Sequence, residues 1–164
     1  MTRFGKIIRR FQGDENGAAL VEAAITLPLV LLLSAGVFEF SNILNTRLLL
    51  EAGVEDAARY MARCSSDWAT CKGRAENLAA NGVVANGSAR VAGWLPTAVL
   101  ITTAVSTPAV DVATGTQLYL SSKSTVDVVD VTTSYSYTGS GFLSYLGFSP
   151  LTLSVSHQER VIGW

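Results

Sequence analysis

The most prominent pattern along the chain is an apolar run close to its N-terminus. Residues 23–38, AAITLPLVLLLSAGVF, contain no charged side chain, and residues 18–22 add only Glu22. A helix rises about 1.5 Å per residue, so residues 18–38 are long enough to cross the roughly 30 Å apolar core of a bilayer. The pattern therefore predicts a transmembrane span over 18–38.

A helical repeat of apolar positions continues beyond this run as far as Arg63. Five apolar residues recur at steps of three and four: Ile43, Leu50, Val54, Ala57 and Met61. Arg47 is the one charged residue on that seam, and Glu55 and Arg59 have the i, i+4 spacing of a helical ion pair. We expect one helix over 18–63 whose second half packs its apolar stripe on the protein's own sheet rather than on a different subunit.

The chain changes character after this helix. Residues 72–82, KGRAENLAANG, fit one short helix that stops at Gly82. From Leu95 onwards Val, Thr, Ser and Tyr dominate, which is the composition of strands. We predict strands at 99–106, 126–137 and 150–161, with a bulge near Val128 where the apolar alternation changes face. The expected fold class is α+β: a long N-terminal helix packed on a small antiparallel sheet of about three strands.

Composition narrows the class of protein. A mean hydropathy of +0.34 with 15% charged residues is too apolar for a purely soluble domain. The net charge of −1, without a basic surface carrying aromatic residues, argues against nucleic-acid binding. No phosphate loop, serine-hydrolase elbow or zinc-protease motif is present, and His157 is the single histidine. We therefore expect neither an enzyme nor a bound cofactor.

Charge around the apolar run predicts its orientation. Four basic residues precede the run: Arg3, Lys6, Arg9 and Arg10. The first acidic residue is Asp14, so the positive-inside rule places the N-terminus in the cytoplasm and residues 64–164 outside it. No small-residue cleavage site follows the run, which argues against an ordinary secretory signal peptide.

Two cysteines flank the short segment CSSDWATC. Cys64 and Cys71 lie outside the cytoplasm in this topology, where disulfides persist. A zinc site is the alternative, but two cysteines with one distant histidine, His157, do not supply four ligands. His157 alternates with apolar residues on a predicted strand and is expected to be a packed or edge histidine. We predict a disulfide and no metal site.

Three aspartates in the C-terminal half are the remaining metal candidates. Asp111, Asp127 and Asp130 carry oxygen ligands suited to calcium, but they lack a binding-loop signature. A solvated strand edge explains them better. Residues 139–141 and 142–148 are expected to form a flexible, partly apolar loop that contacts another subunit or covers the end of the sheet.

Glu22 needs an explanation, because a carboxylate deep in a membrane span costs on the order of 2.5–3.5 kcal/mol and is a functional candidate by default. It lies at the fifth position after Gly17, in DENGAALVE. A basic leader ending in glycine, a glutamate at that position and a long apolar helix resemble the class III signal of type IV pilins and pseudopilins. The closest resemblance is to the TadE-like minor pseudopilins of the tight-adherence (Tad/Flp) pilus. The similar stretches are GAALVEAAITLPLVLLLSAGVFEF, LLLEAGVEDAARYMARC and FSPLTLSVSHQER.

The resemblance implies a processing step. A prepilin peptidase would remove the leader, residues 1–17, by cutting between Gly17 and Ala18 on the cytoplasmic side. Register favours Gly17 over Gly13, because the fifth residue after Gly13 is Ala18 and not an acid. Ala18 departs from the Phe or Met that begins the best-known mature pilins, although it fits the Tad branch.

The resemblance also implies roles for two residues of the span. Cleavage would free an α-amine at Ala18 with a pKa of about 8. Glu22 would pair with that amine on a neighbouring subunit, which relieves two desolvation costs. Pro28 cannot donate a hydrogen bond to the Ala24 carbonyl and is expected to kink or loosen the helix at 24–28. That kink either serves release from the bilayer or is the harmless proline common in membrane helices.

The implied partners are the prepilin peptidase, the major Flp-type pilin, a sister minor pseudopilin, inner-membrane platform proteins and the lipid bilayer. The implied location is the inner membrane, crossed once, with a place in the pilus left open. A different class of protein fits the composition as well, namely a single-pass anchored extracytoplasmic binding domain that is never cleaved. Detection of an N-terminal Ala18 would distinguish the two.

Overall fold

The computed structural model describes residues 15–121, 124–139, 141–148 and 150–162. The elements in chain order are α1 (Glu15–Arg63), α2 (Trp68–Asn81), a 3-10 helix (Pro96–Ala98), β1 (Val99–Pro108), β2 (Thr125–Tyr137), α3 (Phe142–Tyr145) and β3 (Leu151–Arg160). This is the α+β fold predicted from the sequence. The four basic residues of the predicted leader lie outside the described residues.

The chain divides into two compact units after Ser41. In the described part of the first unit, every side chain from residue 18 to residue 34 is exposed although most are apolar. Among the described helices, α1 alone contains a stretch long and apolar enough to cross a membrane. Such a surface is stable in lipid and not in water, because lipid tails solvate apolar side chains at every position around the helix.

The second unit contains an antiparallel sheet in the order β1-β2-β3. Val99 pairs with Thr133 on one side of β2, and Leu151 pairs with Tyr137 on the other. The three strands lie within two residues of the predicted bounds at each end. The long loop predicted between β2 and β3 contains one extra helical turn, α3.

A bulge interrupts the pairing of β1 with β2. Thr103 pairs with Val129 and Val105 pairs with Val128, so Ala104 is the extra residue. The sequence correctly placed the irregularity beside Val128 but assigned it to β2, whereas the bulged strand is β1. The apolar alternation in β2 changes face for another reason: Val126 is buried outside the main core, beside residues 118–121 and 160–162.

The main core lies between the sheet and residues 42–63 of α1, which confirms that the apolar stripe packs on the protein's own sheet. The buried residues of α1 are Leu50, Val54, Ala57, Ala58 and Met61, and those of the sheet include Val99, Ile101, Val129, Val131, Leu153 and Val155. Arg47 avoids this core because it is exposed and binds Glu51 at 2.9 Å. Glu55 and Arg59 form the predicted ion pair.

Helix α2 begins earlier than the sequence predicted. Asp67 is its N-cap: the carboxylate accepts a hydrogen bond from the Thr70 backbone N–H at 2.9 Å. The hydrogen bonds from Thr70 lower the pKa of Asp67. Gly82 ends the helix as predicted, with a positive φ of 75° and its N–H donating to the Leu78 carbonyl.

Helices α1 and α2 are in close contact at Gly53. A Cβ added at Gly53 would lie 2.5 Å from the Ala79 carbonyl oxygen and 2.6 Å from Cη2 of Trp94. Trp94 is fully buried, and its indole N–H donates to Thr133 Oγ1 at 3.0 Å. A glycine is therefore required at this contact, because neither the α2 backbone nor the anchored indole has room to move.

We expect Gly53→Ala to destabilise the chain by about 1–3 kcal/mol, the usual effect of overpacking a core. Thermal unfolding of the detergent-solubilised protein, followed by circular dichroism, would measure the change. Gly73→Ala is the matched control: Gly73 lies within α2 and an added Cβ meets nothing within 4 Å. The control should gain about 0.5–1 kcal/mol from helix propensity. Equal melting temperatures for the two variants would contradict the close contact.

Candidate functional site

Gly17 and Ala18, the predicted cleavage residues, are both helical in α1. A protease binds its substrate with the scissile bond extended, so the backbone at this bond has to unwind before it can be cut. Glycine lowers helix stability by about 1 kcal/mol relative to alanine, which makes unwinding easiest at Gly17. Cleavage here stays a prediction.

Glu22 lies on the same helical face as Ala18 and Thr26, because residues four apart on a helix are neighbours. Its side chain is exposed. None of the ion pairs formed by the described residues includes Glu22. In a lipid environment such a carboxylate requires a partner from another molecule or from the leader. Its pairing with a neighbouring amine stays a prediction.

Pro28 lies inside α1, where the helix assignment is unbroken. The ring removes the hydrogen bond that the Ala24 carbonyl would otherwise accept. Two nearby hydroxyls bond to backbone carbonyls in the same region: Thr26 Oγ1 to Ala23 at 3.5 Å and Ser34 Oγ to Val30 at 2.8 Å. Continuity of the helix does not measure its curvature, so the kink at Pro28 stays a prediction.

A disulfide joins Cys64 to Cys71, as the sequence predicts, with the two Cα atoms 6.1 Å apart. Cys64 follows the last residue of α1, and Cys71 is a buried residue in the first turn of α2. The bond therefore fixes the end of the long helix to the start of the next. This linkage holds α2 against the same core that contains Trp94.

We expect the double variant Cys64→Ser/Cys71→Ser to lose about 2.5 kcal/mol of stability, because an eight-residue loop is no longer closed in the unfolded chain. Unfolding of the full chain in detergent, compared with that of the wild type under oxidising conditions, would measure the loss. A reductant should lower the melting temperature of the wild type and leave that of the variant unchanged. A reductant effect on both proteins would show that the loss has another origin.

Two of the three aspartates that the sequence raised as calcium candidates have separate structural roles. Asp111 closes a turn by accepting hydrogen bonds from Thr114 Oγ1 at 2.8 Å and from the Ala113 N–H at 2.9 Å, and these bonds lower its pKa. Asp127 accepts a hydrogen bond from Ser106. Within the described residues, no three His, Cys, Asp or Glu side chains come together as a metal site.

His157 lies on β3 opposite Val131, partly exposed, with Nε2 3.4 Å from Glu159 Oε2. It is therefore an edge histidine, as its alternation in the sequence predicts. Glu39, at the end of the apolar run, is not singled out by any pattern in the sequence. The structure leaves only 2% of it exposed.

Comparison with known families adds one finding about the long helix. Residues 17–59 match the family model of the TadE-like proteins. The match begins at Gly17, includes Glu22 and Pro28, and continues through the apolar seam of α1. It confirms the resemblance to TadE-like proteins over this segment. Neither the curated proteins nor the solved structures contain a match to the chain.

The family match covers only part of the chain. The matched segment contains residues 17–41 of the first unit and most of the α1 surface that packs on the sheet. Both cysteines, α2 and the sheet lie beyond the match. The match therefore shows similarity to TadE-like proteins over residues 17–59, in the one described helix that could cross a membrane, whereas the C-terminal part is characterised by its fold alone.

Proposed function

We propose that this chain is a minor pseudopilin of a Tad-type type IV pilus, a structural and assembly component rather than an enzyme. The observation that carries the proposal is the start of the TadE-like match at Gly17, with Glu22 five residues later. The spacing of Gly17 and Glu22 in the sequence, and the presence of both residues in the matched segment, support the proposal. The exposed apolar surface of residues 18–34 supports a lipid environment for the same segment.

In this proposal the leader faces the cytoplasm and residues 64–164 lie outside it. A prepilin peptidase removes residues 1–17, so the mature chain begins at Ala18. The new amine then lies one helical turn from Glu22 on the same face, which leaves each group able to pair across a subunit boundary. The Cys64–Cys71 disulfide supports an oxidising, extracytoplasmic location for the second unit.

The proposed partners follow from this assembly role. They are the prepilin peptidase, the major Flp-type pilin, a sister minor pseudopilin and the inner-membrane platform proteins. The chain would contact the other pilins through the exposed apolar helix of the first unit. Pilus biogenesis, and through it adhesion or secretion, would be the outcome.

Processing provides the direct test. The full chain is expressed with and without its prepilin peptidase, extracted from membranes, and its N-terminal residue is identified by mass spectrometry. We expect Ala18 in the presence of the peptidase and an intact leader in its absence. An intact leader beside an active peptidase would leave the anchored, uncleaved binding domain as the better description.

A further inference from the structure

The turn between β2 and β3 carries a cluster of apolar side chains, of which Tyr145, Leu146 and Phe148 are exposed and Phe142 and Leu143 are half-buried. Its residues are Phe142, Leu143, Tyr145, Leu146 and Phe148, which we call the aromatic turn. Tyr145 is 86% exposed and Phe148 is 63% exposed. Large aromatic side chains at this degree of exposure are costly in water, and a cluster of them marks a contact surface.

The second half of the aromatic turn has its backbone N–H groups satisfied internally. Four consecutive N–H groups donate to carbonyls of the same turn: Tyr145 to Gly141, Leu146 to Phe142, Gly147 to Ser144 and Phe148 to Leu143, at 2.9–3.1 Å. An unpaired backbone group entering lipid costs several kcal/mol. The aromatic turn avoids this cost for these four donors, which an ordinary open loop does not.

The aromatic turn lies at the end of the second unit where the chain enters it. Asn42 lines the same groove as Thr138 and Gly139. Phe142 is three residues beyond Gly139, so it lies within roughly 10 Å of it. In the other direction, the apolar run ends at Phe38, four residues before Asn42. The residue at which the chain enters the second unit, Asn42, and the aromatic turn therefore lie at the same end of this unit.

The aromatic turn belongs to a segment of the chain without charged residues, although Arg90 lines the groove beside it. No Asp, Glu, Lys or Arg occurs between Asp130 and Glu159 in the sequence. The connection between β1 and β2, which leaves the sheet at the opposite end, also exposes apolar side chains such as Val112. It includes Asp111 and lies beside Arg160. Burying charge in a bilayer interface is unfavourable, so the aromatic turn is the better suited of the two.

We propose that the aromatic turn inserts into the extracytoplasmic interface of the bilayer that α1 spans, as a second membrane contact. Its aromatic rings lie at the depth of the lipid headgroups, where rings with one polar end are favoured, and the Tyr145 hydroxyl faces water. This contact holds the second unit against the membrane surface before assembly. The inference rests on the proposed membrane anchorage of α1, and it does not depend on cleavage after Gly17.

The test uses the full chain with its disulfide intact, in nanodiscs of phosphatidylcholine and phosphatidylglycerol. A nitroxide is attached to a single introduced cysteine: Tyr145→Cys in the aromatic turn, Val112→Cys as the exposed control at the opposite end, and Leu31→Cys as the reference within the span. Collision rates with oxygen and with a nickel chelate are measured by electron paramagnetic resonance. Both exposed positions lose few contacts on substitution, so folding is preserved.

We expect the ratio of oxygen to nickel collisions to be roughly tenfold higher at Tyr145→Cys than at Val112→Cys, because a charged chelate is excluded from the apolar layer. Equal ratios at the two sites would overturn the inference while leaving the anchorage of α1 intact, provided that Leu31→Cys is lipid-exposed. Exclusion of both reagents at Tyr145→Cys would also overturn it, since the turn would then be covered by protein. A water-exposed Leu31→Cys would overturn the anchorage and the inference together.

Discussion

A chain carrying Gly17→Val is expected to keep residues 1–17 when the prepilin peptidase is active, whereas the wild type loses them almost completely. The peptide bond after Gly17 has to leave its helical geometry and become extended in the protease. A branched side chain at this position obstructs close approach of the backbone to the catalytic groups, which glycine permits. Mass spectrometry of the membrane-extracted protein would identify the N-terminal residue of each chain.

Gly13→Val is the matched control, because the same substitution is made four residues upstream, where the fifth following residue is Ala18 instead of a glutamate. We expect this variant to be processed like the wild type. Retention of the leader by both variants would point to a general defect in the leader rather than to a scissile Gly17. Removal of residues 1–17 from the Gly17→Val chain would show that the bond after Gly17 is not selected in the proposed way.

Much of the fold could be predicted because it repeats locally along the chain. The step of three and four residues from Leu50 to Met61 predicts both the helix and its buried face, and the structure confirms them. Strand composition placed β1, β2 and β3 within two residues of their bounds. Burial of one face of a helix or strand leaves a periodic pattern of apolar residues, so these elements can be predicted from the sequence alone.

Features set by contacts between distant parts of the chain could not be predicted. Trp94 lies in a segment without periodicity, yet it is fully buried against Gly53 and hydrogen-bonded to Thr133. Ala104 bulges because of how β1 meets β2, and neither strand alone identifies the extra residue. The N-cap role of Asp67 is hidden for a different reason. Asp67 lies between the two cysteines, in a segment whose most obvious feature is the disulfide loop.

For the candidate site, the sequence is more informative than the fold of a single chain. Gly17 and Glu22 were singled out by their spacing in the sequence, the family match includes both, and their roles stay predictions. The fold of one chain adds little there, because the helix surface around Glu22 is exposed and its proposed partner belongs to another subunit. A site completed only by assembly leaves its mark in the sequence of the subunit and not in its internal contacts.

Replacement of Glu22 by glutamine is expected to leave cleavage intact and to reduce incorporation into the pilus roughly a hundredfold. The amide keeps the size of the side chain but removes the charge that would compensate the Ala18 amine of a neighbouring subunit. Leaving that amine unpaired in a low-dielectric contact costs about 3 kcal/mol, the lower end of the range for breaking a buried pair. The ratio of sheared pilus-associated chain to total membrane chain would measure the change.

Thr26→Val tests whether incorporation into the pilus depends on the whole helical face or only on the charge of Glu22. Thr26 lies one turn further along the same face. We expect it to assemble like the wild type.

The pairing also predicts a pH dependence: wild-type assembly should weaken as the pH rises above about 8, where an unperturbed amine loses its proton. The Glu22→Gln chain should not respond to that change. Wild-type levels of Glu22→Gln in the pilus, after normal cleavage, would exclude charge pairing and leave Glu22 only a role in recognition by the peptidase or platform.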